Sequence, residues 1–252
     1  MAYDGEQQTN INNASHGARV AGQSIYEEKE DAVCAIGTRL VLGDRVFRYT
    51  KNGAVALGAA YVVEAPVPEA TYTIGQAIGT TAVGSQTVTW TVNTSGTNFT
   101  KDQYKDGYFL VDDAGGTAAE EGYCYKIKSN TAAVVTADST ITLYDRLAKA
   151  ISASATGGIT ANPYNGVVID AGTSHILGVP LIEVTIGYYF WVQTWGPAPV
   201  VADATGTALG TLLTCTAGES DVRDADTEPI LGHGMSTTAA NDVGFVNLMI
   251  NP

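Results

Sequence analysis

The sequence predicts an all-β fold: a barrel or sandwich domain, a second β-rich domain and an extended N-terminal arm. Three observations lead there. Charged residues make up only 15% of the 252, against about 25% in average soluble proteins, and surface helices lean on Glu, Lys and Arg. The chain carries 28 glycines, which suits many tight turns. Short runs rich in β-branched and aromatic residues recur along it, with no sustained helical period.

Residues 1–31 are polar, rich in Gln, Asn and Gly, and end in Glu27-Glu28-Lys29-Glu30-Asp31. Such a composition buries too little apolar surface to order itself, so residues 1–35 are expected to form an arm that is extended or disordered until it meets a partner, with a poorly packed but ordinary terminus as the other reading. Regular β signals begin at Cys34. Residues 38–42 and 45–49 flank Gly43-Asp44, a two-residue hairpin signal. A further strand is expected over 55–63, and Ala65-Pro66-Val67-Pro68 then breaks the pattern. The core β-domain is therefore read as discontinuous, residues 36–66 with 155–252, around an inserted β-rich domain at 67–154.

Within the insert, strands are expected at 87–92, 107–111, 123–127 and 140–144, and Asp145-Arg146-Leu147-Ala148-Lys149-Ala150-Ile151 is a short helix or turn. Beyond it, Pro163-Tyr164-Asn165-Gly166 is a turn leading into a strand at 167–170. The remaining strands fall at 181–185, at the aromatic run, at 207–216 around Gly210, and at 244–250. No internal repeat emerges, which disfavours a propeller or solenoid.

The aromatic run is Tyr188-Tyr189-Phe190-Trp191-Val192-Gln193-Thr194-Trp195, followed by Gly196-Pro197. Alternate residues of a strand share a face, so Tyr189, Trp191, Gln193 and Trp195 point one way and Tyr188, Phe190, Val192 and Thr194 the other. Both faces are apolar or aromatic, and the strand should be covered on both sides. Proline cannot donate to a ladder, so Pro197 is expected to end the strand or to place it at an edge. Tyr188, Phe190, Trp191, Trp195 and Pro197 are the candidate protein-interface residues, with burial of both faces in the protein's own core as the other reading.

Chemistry finds little support. The net charge of −13 argues against a phosphate-backbone partner, which needs clustered Lys and Arg. Cys34, Cys124 and Cys215 are odd in number and widely spaced, so they read as buried free thiols. The first residues lack the basic and apolar regions of a secretory signal, and no apolar run is long enough to span a bilayer. The expectation is a soluble chain made in the cytoplasm, and the Asn-x-Ser/Thr matches at Asn13, Asn93 and Asn98 then carry no weight. Asp112-Asp113 and Glu120-Glu121 sit beside Gly-rich turns and read as solvated loop charges. The acidic segment 218–228 has the carboxylates of a calcium loop without the EF-hand pattern. His16, His175 and His233 are isolated, and nucleophile-elbow, Walker and dinucleotide-binding motifs are missing. No catalytic, cofactor or metal residue is expected.

Several segments in order carry a resemblance: residues 38–49, 123–130, 143–145, 163–168, the aromatic run through Trp195-Gly196-Pro197, and Glu228-Pro229-Ile230-Leu231-Gly232. Together they resemble tailed-bacteriophage virion proteins of the head decoration, or cement, class, from about residue 36 onward. The resemblance implies a non-enzymatic protein on the capsid exterior, often a homotrimer, that locks neighbouring subunits of the major capsid protein together. It implies no cofactor, nucleic acid or membrane, and carries no catalytic residue across. A receptor- or carbohydrate-binding β-module, with exposed Trp and Tyr stacking on sugars, and a tail or head-completion component stay open. A glycan hydrolase would need two carboxylates facing across a cleft. A coat-forming protein is disfavoured because no long spine helix is visible.

Overall fold

The computed structural model describes residues 22–92, 95–113 and 121–252, with the backbone of Ile11 and Asn12. The chain is almost wholly β and divides into two compact units, Met1–Val67 with Pro163–Pro252, and Pro68–Asn162. The sequence boundary at 154 places a strand, Thr156–Thr160, outside the insert, whereas the fold puts it inside. That strand carries a weak signal because Gly157 and Gly158 fill its middle. Gly158 has no room for a side chain: a Cβ there would lie 1.8 Å from the Thr73 carbonyl oxygen.

The first unit contains β1 (Ile11–Asn12), β2 (Arg39–Leu42), β3 (Arg45–Asn52), β4 (Val63–Glu64), β11 (Asn165–Ile169), β12 (Ile176–Pro180), β13 (Tyr189–Val201), β14 (Leu212–Thr216), β15 (Glu219–Val222), β16 (Gly232–Gly234) and β17 (Val243–Met249). The second holds β5 (Gln76–Ala77), β6 (Thr87–Thr91), β7 (Tyr108–Asp113), β8 (Cys124–Asn130), β9 (Asp138–Leu143) and β10 (Thr156–Thr160).

In the first unit, pairing runs β3-β11-β4-β12-β13 and returns from β13 to β3, a closed five-stranded ring. Its interior is packed by Val63, Val167, Leu177, Phe190 and Val192. From the same β13, pairing runs β17-β16-β14-β15, and Ala202 beside Ser220 brings β15 back against the end of β13. This second ring encloses Ala198, Val200, Leu213, Val246 and Leu248. Thirteen residues long, β13 is thus a wall shared by two small barrels, its first half in one and its second half in the other.

Pro197 does not end β13. Ladder pairing with β17 continues from Trp195 to Val201. What changes at the Gly-Pro step is the partner: pairing with β3 shifts register between Gln193 and Trp195 and stops, leaving a bulge. The buried Gln193 amide nitrogen closes the gap by donating to the carbonyls of Trp195 (3.1 Å), Gly196 (3.3 Å) and Pro197 (2.8 Å). A proline is tolerated here because no neighbouring ladder needs its missing N–H.

Residues 22–35 do not form a free arm; the rest of the expected arm, 1–10 and 13–21, lies outside the described residues. Lys29 and Tyr189 exchange backbone hydrogen bonds, and Gln23 donates to the Tyr189 carbonyl while accepting from the Tyr49 hydroxyl at 2.9 Å. Ile25 and Cys34 then pack with Leu40, Phe47, Tyr49 and Trp191. A few well-placed apolar groups in a polar segment suffice once a barrel wall is there to receive them.

Other departures are local. The expected strand 55–63 is reduced to a Leu57–Val184 bridge and β4, because the backbone turns at Ala60, where φ is 68°. The same bridge is all that forms of the strand expected at 181–185. The strand expected at 207–216 begins only at Leu212, after a turn at Gly210.

In the second unit, pairing runs β5-β10-β7-β8-β9-β6, and the bridge between Ile78 and Trp90 brings β6 back to the end of β5. The nearly closed barrel encloses Trp90, Phe109, Ile127, Ile141 and Leu143. Residues 145–151 form no helix. Leu147 and Ile151 donate their backbone N–H to Ser85 and Thr81, and their buried side chains join the core, so the segment spends its hydrogen bonds on a neighbour.

Candidate interaction surface

The five candidate interface residues separate. Phe190 and Trp191 are fully buried, one inside the first ring and the other under residues 22–35, and present no surface to a partner. This corrects the interface reading for both: the two faces of this part of β13 are covered by the protein itself. Half-buried Tyr188 packs beside Phe190. Trp195 and Pro197 are half-buried on the outer side of the second ring, because Gly196, Ala198 and Val200 take the inner side.

The face that carries Tyr189 and Trp191 therefore changes character along one strand. Its first half is roofed by residues 22–35, whereas in its second half Trp195, Pro197 and Pro199 stay half-buried. Register extends that open face across the sheet. Trp195 lies opposite Met249, Pro197 opposite Asn247, and Pro199 opposite Phe245. On the far side of β17, Asn247 lies opposite His233, and Met235 donates its N–H to the Phe245 carbonyl. His233 in turn lies opposite Leu212.

Exposed sheet faces ordinarily alternate to polar side chains. Here Phe245 is 61% exposed, Val243 59%, Met235 46% and Met249 39%, and no Asp, Glu, Lys or Arg stands in the rows just named. This contiguous, uncharged apolar patch is the candidate interaction surface. Sequence reading missed its β16 and β17 half. The signal was present: apart from Asn247, Val243-Gly-Phe-Val-Asn-Leu-Met249 is apolar at both parities, as the aromatic run is.

The other candidates are structural. Asp112 accepts from the Gly75 N–H and from the Thr156 hydroxyl, so it ties β7 to β5 and β10. Glu120 and His16 lie outside the described residues. The acidic segment 218–228, read as a loop, contributes β15, and Arg223 pairs with Asp226 at 3.5 Å. Among the described residues, no three His, Cys, Asp or Glu side chains are placed to hold a metal ion, and no helix is long and apolar enough to cross a membrane. Cys34 is buried, Cys215 half-buried and Cys124 exposed, so one of the three thiols departs from the buried reading.

One buried polar cluster was not foreseen. Glu64 is fully buried with its carboxylate accepting from the Thr173 hydroxyl (2.6 Å) and the N–H groups of Thr173 (3.0 Å) and Ser174 (2.9 Å). Burial opposes its charge, but these donors outweigh burial and hold its pKa below the usual carboxylate value. Asp170, also buried, has its pKa raised by desolvation and by the charge of Glu64, against the pull of the Cys215 thiol and the Gly172 and Gly218 amides.

The two carboxylates act oppositely on stability. With a lowered folded pKa, Glu64 stabilises above its unfolded pKa, and that contribution is lost as pH falls through the folded value. With a raised folded pKa, Asp170 favours the fold below its unfolded pKa, and that contribution is lost as pH rises through the folded value. Urea denaturation should therefore show Asp170→Asn more stable than wild type at pH 7 and level with it at pH 3. Glu64→Gln should be less stable at pH 7, with the gap closing in acid. The reverse pattern would mean that the charge assignments are exchanged.

Compared with known proteins, the chain matches no protein-family model, no curated protein and no solved structure.

Proposed function

We propose that this protein is a non-enzymatic structural subunit of a phage virion, bound to the outer surface of the capsid and bridging neighbouring capsid subunits as a homo-oligomer. The observation that carries the reading is the uncharged apolar face of β13, β17 and β16, displayed on the nearly closed second of two rings that share a strand. Closed rings leave few free backbone donors and acceptors, so such a scaffold holds its shape while a neighbour presses on one side. The ordered set of segments resembling head decoration proteins supports the choice of a capsid as the partner.

A receptor- or carbohydrate-binding module is the second reading, since Trp195 stands on the same face. A sugar platform wants aromatic rings lying open in a groove. Trp90 and Trp191 are fully buried and Trp195 is half-buried between strands of a barrel exterior, which favours protein contact.

The test is copurification with intact heads and the copy number relative to the coat protein. Occupancy approaching that of the capsid lattice is expected. A few copies per particle, or a ring confined to the tail axis, would reject the capsid reading.

A further inference from the structure

We propose that the open face of β13, β17 and β16 receives a protein surface with an apolar centre and a rim of Lys and Arg, contributed by a different chain and not by a second copy of this one. The inference rests on the protein-contact reading above and names the chemistry of the partner. Its first support is size. Strands stand about 4.8 Å apart and same-face residues about 6.8 Å apart, so the patch formed by Trp195, Pro197, Pro199, Phe245, Met249 and Met235 covers roughly 200–400 Å². A stable interface buries about 800 Å² on each partner. The apolar patch is the centre of such a contact, and its surroundings must supply the rest.

Those surroundings are acidic. Asp203 and Asp242 stand together at one end, where the Ala202 N–H bonds to the Asp242 carbonyl. At the other end the backbone of Asp44 abuts Gly196, between Trp195 and Pro197. Along the β14 side, Arg223 lies next to Leu212 and opens the segment that carries Asp224, Asp226 and Glu228 into β16. Two guanidinium groups offset these carboxylates, Arg45, held over the Phe47 ring, and Arg223, paired with Asp226. Two copies joined through this face would bring acidic rims together on chains of net charge −13 each. A basic rim turns the same carboxylates into the second half of the contact.

The experiment places a photoreactive benzoylphenylalanine at position 245 of the full chain, and at exposed Val134 of the second unit as a control, and irradiates both in purified heads and in the producing cells. A matching insertion at Met235 guards against a local folding defect at 245. Expected are adducts at 245 and 235 to one partner chain, mapped to an apolar segment flanked by Lys or Arg. Retention of the protein on that partner should fall at least about tenfold between 50 and 500 mM salt, with a shallower dependence for Asp224→Asn/Asp242→Asn. Adducts between copies of this chain, adducts to a segment without basic residues, or yields no higher than at Val134 would overturn the inference. Heads that carry the protein while positions 245 and 235 stay silent would remove this surface and leave the capsid reading standing. A basic-rimmed partner other than the coat protein would do the opposite.

Discussion

Trp191→Ala is expected to destabilise the first unit by about 3–5 kcal/mol, the range for emptying a large aromatic site in a packed core. Trp191 is fully buried and meets Tyr49 edge-on with ring centroids 5.0 Å apart, while Tyr49 stacks on Tyr189 at 5.9 Å. The Tyr49 hydroxyl also anchors residues 22–35 by donating to Gln23 and accepting from the Val33 N–H at 3.1 Å. Removing the indole therefore leaves a cavity and loosens the segment that roofs it. Trp195→Ala, on the other half of the same face, should cost less, about 1–2 kcal/mol, since the indole is only half-buried. Urea denaturation of the two variants, with proteolysis between residues 22 and 35 as a second readout, distinguishes the halves. Equal losses would show that the face is covered along its whole length.

Gly196→Ala is the second large effect, expected at about 3 kcal/mol or more. Gly196 sits at φ 82°, a left-handed conformation that costs an L-residue about 1–2 kcal/mol. A Cβ there would also lie 2.4 Å from the Asp44 carbonyl oxygen and 3.2 Å from its carbon. Those are backbone atoms of the β2–β3 turn and cannot swing aside as a side chain would, so the hairpin or the bulge must move. Gly187 provides the control. Its φ is 77°, but nothing lies within 4 Å of a Cβ built on it, so Gly187→Ala should show the conformational cost alone. Thermal denaturation that ranks the two alanine variants equally would remove the steric part of the argument.

Much of the β structure was legible locally. The Gly43-Asp44 hairpin stands where two-residue turn chemistry places it, with Leu42 opposite Arg45. The strand at Thr87–Thr91 alternates as read, Val88 and Trp90 inward and the threonines outward. Misses came where a neighbour supplies what the local sequence lacks. Gly157 and Gly158 give little strand signal but form a strand that another backbone approaches closely. Residues 145–151, read as a short helix or turn, form no helix, and Leu147 and Ile151 anchor a segment bonded to Thr81 and Ser85. Pro197 looks like a strand end, yet lies where β3 departs and its absent donor is not needed. Of the candidate surface, Trp195 and Pro197 were found because the aromatic run is conspicuous. Phe245 and Met249 were missed because Val, Phe and Met at alternate positions read equally well as core.

By itself the sequence determined the fold class, most strand positions, the absence of a helical framework, and the demand that the aromatic strand be apolar on both faces. These follow from alternation and turn chemistry, which act over a few residues. Only the tertiary structure decided which part of that strand is core and which is surface. A side chain at Trp191 and one at Trp195 share a parity, and nothing within the strand distinguishes them. The difference comes from residues 22–35, far away in sequence, which cover one and stop short of the other, and from a bulge at Gln193–Trp195 that hands the strand from one barrel to the next.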